Sequence, residues 1–87
     1  MTKILLADHQ CLFRAGMVRL IDSIGGFAVA GEVDSAEAAV EFVAKHTPDI
    51  LLLEMSMPGV SGFETLRRMQ GLQVGARVVA LTRWTNQ

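Results

Sequence analysis

The chain has only one cysteine, Cys11, so it cannot form a disulfide within itself, and a reducing compartment suits it. It also lacks a surplus of positive charge, because eight lysine and arginine residues stand against nine aspartate and glutamate residues. Such a segment has little attraction for a phosphate backbone, and we expect no direct binding to nucleic acid. It has no apolar stretch of signal-peptide or membrane-spanning length, which favours a cytoplasmic protein with no membrane contact.

The apolar residues, by contrast, are plentiful and regularly arranged. They make up 51% of the 87 residues, which predicts a packed core in one small domain or a piece of one. Short runs rich in Ile, Leu and Val occupy residues 3–7, 27–33, 49–54 and 76–81. Three of these runs are apolar at consecutive positions, as in strands covered on both faces.

Between these runs lie three segments with the apolar spacing of helices. The first covers residues 12–24 and is followed by Gly25 and Gly26, which we expect to end it. The second covers about residues 35–46, with Asp34 or Ser35 as its cap, and the third starts near Ser61. Strands alternating with helices predict an α/β fold with a doubly wound parallel sheet.

The pattern stops after its fourth strand. Right-handed crossovers place the first helix on one face of the sheet and the other two on the opposite face. One helix then covers a face that normally needs two, and several hundred Å² of bare apolar surface is worth on the order of 10 kcal/mol. We therefore expect the chain to be incomplete, self-associating or covered by a partner. The fourth strand should be an exposed edge, and such edges pair in swapped or edge-paired dimers.

Polar residues follow three of the predicted strands. Asp8 and His9 follow the first, Glu54 ends the third, and Thr82 follows the fourth. Ligands of open α/β sheets bind at the carboxyl ends of the strands, and carboxylates gathered there favour a hard cation such as Mg²⁺. The loop after Glu54, residues 55–62, contains the turn-forming residues Pro58, Gly59 and Gly62.

These residues carry a resemblance to a known family. The stretches "KILLADHQCLFRAGM", "PDILLLEMSMPGVSGFETLRRM" and "ARVVALT" resemble the receiver domain of bacterial two-component response regulators, which has the CheY-like (flavodoxin-like) fold. The resemblance covers nearly the whole chain and is strongest to LuxR/NarL-type transcription regulators, including GacA-like ones. Its most specific part is the signature formed by Glu54, Met57, Pro58, Gly59 and Gly62.

The resemblance implies a set of functional positions, and the chain departs from several of them. In the family, two acids after the first strand hold Mg²⁺, and an aspartate ending the third strand accepts a phosphoryl group. Here Asp8 matches one acid, His9 replaces the other, and Glu54 stands at the acceptor position. Thr82 matches the hydroxyl that reads the phosphate.

A lysine completes the family's set, and this chain has no counterpart for it. Its only lysines are Lys3 and Lys45, and the fourth helix and the fifth strand and helix of the family do not occur in it. We interpret the chain as a partial receiver domain over residues 1–87, without an effector or DNA-binding domain.

The departures disfavour phosphoryl transfer. The extra methylene of Glu54 misaligns in-line attack, and an error of about 1 Å can cost roughly a hundredfold in rate. His9 removes an anionic oxygen ligand that a hard cation prefers. We expect no resident cofactor and at most weak Mg²⁺ binding.

Three functional hypotheses follow. The first is a non-enzymatic, degenerate receiver domain that acts by dimerisation or by contact with a sensor kinase or regulator protein. The second is a metal-dependent phosphotransfer protein or hydrolase using Asp8, Glu54 and Thr82. The third is a truncated fragment that forms a swapped or edge-paired dimer without a signalling role.

Two residues of the site also carry alternatives of their own. Glu54 is either a fixed charge that imitates a phosphorylated acceptor or an inactive remnant solvated at the strand end. His9 is either a polar loop residue or, with Asp8 and Glu54, a ligand of a softer metal such as Zn²⁺.

Overall fold

The computed structural model describes residues 1–57, 59–72 and 75–81. The elements are, in chain order, β1 (Thr2–Ala7), α1 (Cys11–Asp22), β2 (Phe27–Val33), α2 (Ala36–His46), β3 (Ile50–Glu54), α3 (Gly62–Gly71) and β4 (Arg77–Leu81). This is the predicted order, and the predicted α/β fold class is confirmed. No helix in the described ranges is long and apolar enough to cross a membrane.

The strands form one parallel sheet in the order β2-β1-β3-β4. Leu5, Leu6 and Ala7 of β1 and Leu51 and Leu53 of β3 are completely buried, because these two strands lie in the middle of the sheet. The chain moves outward from β1 to β2 and then returns to the other side of β1 with β3. The strand order therefore reverses between β1 and β3, which is where α/β sheets place their ligand sites.

The two faces of the sheet carry separate apolar clusters. Leu5, Leu51 and Leu53 point to the face covered by α2 and α3, where Val43 and Met69 join them. Ile4 and Leu6 point to the other face, where they pack with Ile21 of α1. The prediction that α1 lies alone opposite α2 and α3 is thus confirmed for the described residues.

The α1 face is only partly covered. In register, Leu52 of β3 pairs with Val79 of β4, so both side chains lie on this face. Leu52 is partly buried and Val79 is 45% exposed. The prediction that β4 is an exposed edge is confirmed for the described sheet, whereas its apolar run, which is typical of a strand covered on both faces, is wrong as a sign of burial.

The helix ends follow local hydrogen bonding. Ser35 and Ser61 cap α2 and α3, each accepting from the backbone N–H three residues later. The predicted end of α1 at Gly25 was too late, since the helix stops at Asp22 and the Ser23 hydroxyl donates to the carbonyl of Leu20.

Candidate functional site

Three polar side chains meet where β1 and β3 end. Ala7 pairs with Leu53 in the sheet, so the next residues along the two strands, Asp8 and Glu54, lie side by side. Both carboxyl groups are buried, with Asp8 1% and Glu54 2% exposed. The part of the second alternative that places Glu54 in solvent at the strand end is therefore wrong, because the side chain is buried.

The Glu54 carboxylate accepts hydrogen bonds on both oxygens. Oε2 accepts from the backbone N–H of His9 at 3.0 Å and lies 2.8 Å from Nδ1 of the His9 ring. Oε1 accepts from the Ser56 hydroxyl at 3.2 Å. His9 is thus the partner of Glu54 and more than a polar loop residue.

This environment keeps Glu54 ionised. Burial alone raises the pKa of the Glu54 carboxyl, but hydrogen bonds with Asp8, with the ring and backbone of His9, and with Ser56 lower it. The lowering outweighs the burial, and the pKa falls from 4.5 to about 2.

Asp8 is held by the start of α1. The backbone N–H of Gln10 donates to its Oδ1 at 2.8 Å, and the Arg14 guanidinium donates to its backbone carbonyl. Arg14 also forms an ion pair with Glu32 on β2 at 3.0 Å. The turn between β1 and α1 is therefore fixed from both sides, which positions His9 over Glu54.

The loop after β3 needs its glycines for two different reasons. Gly59 has φ +88°, a left-handed conformation that favours glycine. At Gly62 a Cβ would lie 2.5 Å from Sδ and 2.9 Å from Cα of Met55, so no larger residue fits there.

Met57 is buried in the cluster under α2 and α3. Pro58 of this loop, and Thr82, lie outside the described residues.

Sequence reasoning missed Ser56 and Arg14. Ser56 stands between two methionines in the loop, and its place two residues after Glu54 is the only signal that it could reach that carboxylate. Arg14 lies on a helix, and sequence spacing could not predict its contacts, because its partners come from the end of β1 and from β2.

The site does not fit the Mg²⁺ that the family resemblance implies. One ligand atom from each of Asp8, His9 and Glu54 lies within 4.8 Å of the others, close enough to be drawn together around one ion. Mg²⁺, however, takes oxygen ligands in a near-octahedral shell and keeps several waters. Here an imidazole replaces one oxygen ligand, which leaves only two carboxyl groups for a cation that prefers oxygen.

Comparison with known proteins supports the resemblance. The family model described as the response regulator receiver domain matches residues 4–87. Response regulator GacA of Pseudomonas syringae pv. syringae (strain B728a) is 35% identical over 82 residues, which make up 94% of this chain and 38% of that protein. The chain thus spans less than two fifths of the length of that curated relative.

Solved structures agree with this result. The signal receiver domain of the response regulator NarL from Mycobacterium tuberculosis is 30% identical, with a TM-score of 0.89 over 98% of this chain and 68% of that one. A LuxR-family two-component response regulator from Aurantimonas sp. SI85-9A1 is 31% identical, with a TM-score of 0.88 over 95% of this chain and 59% of that one. The chain therefore belongs to the response regulator receiver domain family of two-component signalling, and it is similar to the GacA- and NarL-type regulators.

Proposed function

We propose that this receiver domain works without phosphorylation of residue 54, carrying a fixed charge there and acting through contacts with other proteins. Receiver domains in general are non-enzymatic modules that interact with sensor kinases and often dimerise. The observation that carries the proposal is the pairing of the buried Glu54 carboxylate with His9.

The first support is that Glu54 is a poor nucleophile. Both of its oxygens accept hydrogen bonds from the protein, and these bonds draw electron density away from the lone pairs that would attack phosphorus. A carboxylate that is stabilised this strongly, with a pKa of about 2, also has less tendency to form a new bond. The burial of Glu54 further hinders the approach of a phosphodonor.

The second support is the balance of charge around the site. Phosphoryl transfer needs a metal and cationic groups to neutralise the transferred phosphate. His9 occupies the place of one metal-binding acid, and its ring faces Glu54. Neither lysine is near, because Lys3 lies at the opposite end of β1 and Lys45 on the last turn of α2.

Mass spectrometry tests this proposal. The protein is incubated with Mg²⁺ and a small phosphodonor such as acetyl phosphate, beside a receiver domain whose aspartate is intact. We expect the control to gain one phosphoryl group and this protein to keep its mass. A phosphoryl adduct mapped to Glu54, and released by hydroxylamine as an acyl phosphate, would overturn the proposal.

A dimer is the form of protein contact that the fold favours. β4 offers an unpaired strand edge in the described sheet, and Val79 on it adds an exposed apolar side chain. A second copy joined at this edge would extend the sheet and cover part of the α1 face. The same edge would also join two copies in the third hypothesis, in which the chain is a fragment that forms a swapped or edge-paired dimer.

A further inference from the structure

We propose that Asp8, His9 and Glu54 form a binding site for a borderline divalent metal ion, Zn²⁺ in particular, in place of Mg²⁺. The three side chains come from the ends of two neighbouring strands, and their ligand atoms lie within 4.8 Å of one another. This inference goes beyond the proposed function and does not depend on it, because Zn²⁺ binding and phosphate transfer to Glu54 are separate properties of the site.

The first step is the donor set. Zn²⁺ is commonly held by imidazole nitrogen and carboxylate oxygen, and sites with three protein ligands leave a fourth position for water. One imidazole and two carboxylates supply such a set here. Affinity for mixed nitrogen and oxygen donors rises across the first-row metals towards Ni²⁺, Cu²⁺ and Zn²⁺, whereas Mg²⁺ prefers oxygen alone.

The second step is charge. The carboxyl groups of Asp8 and Glu54 lie side by side at the ends of two paired strands, and both are buried. A divalent cation between them brings two positive charges to two carboxylates.

The third step is geometry. Zn–N and Zn–O bonds of about 2.0–2.2 Å place the ligands of a tetrahedral ion roughly 3.4 Å apart. His9 Nδ1 and Glu54 Oε2, now 2.8 Å apart, have to separate slightly. The ligand atoms that now lie farthest apart, within 4.8 Å of each other, have to move closer, and a rotation of one side chain allows this. The His9 side chain is 35% exposed, so its ring has room to turn and the fourth position is open to water.

The test is calorimetric titration of the tag-free, metal-stripped protein with Zn²⁺ and separately with Mg²⁺. We expect one Zn²⁺ per chain with a Kd at least about a hundredfold below that for Mg²⁺. Co²⁺ serves as a spectroscopic probe, because it gives intense visible absorption in a tetrahedral site. Equal affinities for the two ions, or no Zn²⁺ binding at micromolar protein, would overturn the proposal.

Three variants identify the ligands. His9→Gln should weaken Zn²⁺ binding at least about tenfold, and His9→Asp, which restores the family's pair of acids, should move the preference towards Mg²⁺. His46→Gln is the matched control, since His46 packs against Phe42 on α2, away from the site. Cys11→Ser removes the exposed thiol near the start of α1 and should leave the affinity unchanged.

A measurement on the unmodified chain covers the case in which a variant does not fold. In the NMR spectrum, Zn²⁺ should shift the ring signals of His9 and leave those of His46 in place. Shifts confined to His46, or Zn²⁺ binding that His9→Gln retains and Cys11→Ser abolishes, would overturn the assignment. A phosphoryl group found on Glu54 would contradict the proposed function and leave the Zn²⁺ result standing.

Discussion

Glu54 is an anion that its neighbours hold in place. Its hydrogen-bond donors are His9, which follows β1, and Ser56, which lies in the loop after Glu54. A buried charge is costly unless it is paired and hydrogen-bonded, and here those bonds outweigh the cost of burial. The fixed charge lies at the position where the family carries its phosphorylated aspartate, which is why we interpret it as a permanent substitute for that modification.

The lowered pKa of Glu54 makes stability depend on pH. Because the pKa is about 2 in the folded protein and 4.5 for a free side chain, the stabilisation is fully present above pH 4.5 and is lost as the pH falls towards 2. It amounts to on the order of 3 kcal/mol at most. We expect the unfolding free energies of the wild type and Glu54→Gln to differ most above pH 4.5 and to converge below it, in urea titrations with a chelator present.

Asp8 and His9 are the titratable side chains that face Glu54, and both are present in the wild type and in Glu54→Gln. Glu41→Gln is the control, because Glu41 pairs with Lys45 at the exposed surface of α2, where an ion pair adds little. Its difference from the wild type should stay small at every pH. A difference between wild type and Glu54→Gln that does not change with pH would contradict the assigned pKa.

At the scale of elements, the loop from β3 to α3 is set by close packing at its end. Gly62 is the first residue of α3, and the Met55 side chain and backbone occupy the space that a Cβ would need. The contact brings the start of α3 against the residue that follows Glu54. Ser61 then caps the helix and fixes where it begins.

Gly62→Ala should therefore destabilise the fold by about 1–3 kcal/mol, since neither Met55 Cα nor the helix start can move freely. Gly16→Ala is the matched control within α1, where nothing lies within 4 Å of the added methyl group. There the change should stabilise by about 0.5–1 kcal/mol, because alanine favours helix more than glycine does. Chemical denaturation of both variants measures the two effects, and equal signs would contradict the packing account.

At the scale of the whole molecule, the sheet is covered unevenly. The α2 and α3 face holds the larger buried cluster, and the α1 face holds a smaller one. Leu52 of β3 and Val79 of the edge strand β4 lie next to each other on the less covered face. Apolar surface at an unpaired strand edge is the kind of surface that a second molecule covers.

Val79→Lys should weaken self-association, because a charged side chain at an edge opposes pairing. Sedimentation at micromolar concentration should show a dimer for the wild type and a larger monomer fraction for this variant. Phe63→Lys is the control, since Phe63 is 78% exposed but lies on α3, which packs on the opposite face. A wild-type protein that stays monomeric throughout would refute the dimer.

Several strands and helix starts could be predicted from the order of residues, because local spacing and capping residues determine them. Consecutive apolar residues in β1 and β3 predicted central strands, and Ser61 three residues before Glu64 predicted the start of α3. The same reasoning failed at β4 and at the end of α1. The apolar run of β4 indicated burial on both faces although its place in the strand order had predicted an exposed edge, and Ser23 ended α1 before the glycines did.

The sequence by itself determined the order of strands and helices, the family, and which residue types stand at the strand ends, since short-range spacing and composition specify these. Only the tertiary structure decided that His9 bonds to Glu54 across 45 positions of the chain and that Ser56 completes the carboxylate's partners. The pKa of about 2 for Glu54 depends on that proximity. The physical reason is that hydrogen bonds and charges act over a few ångströms in space, and sequence spacing does not measure the distance between two strand ends.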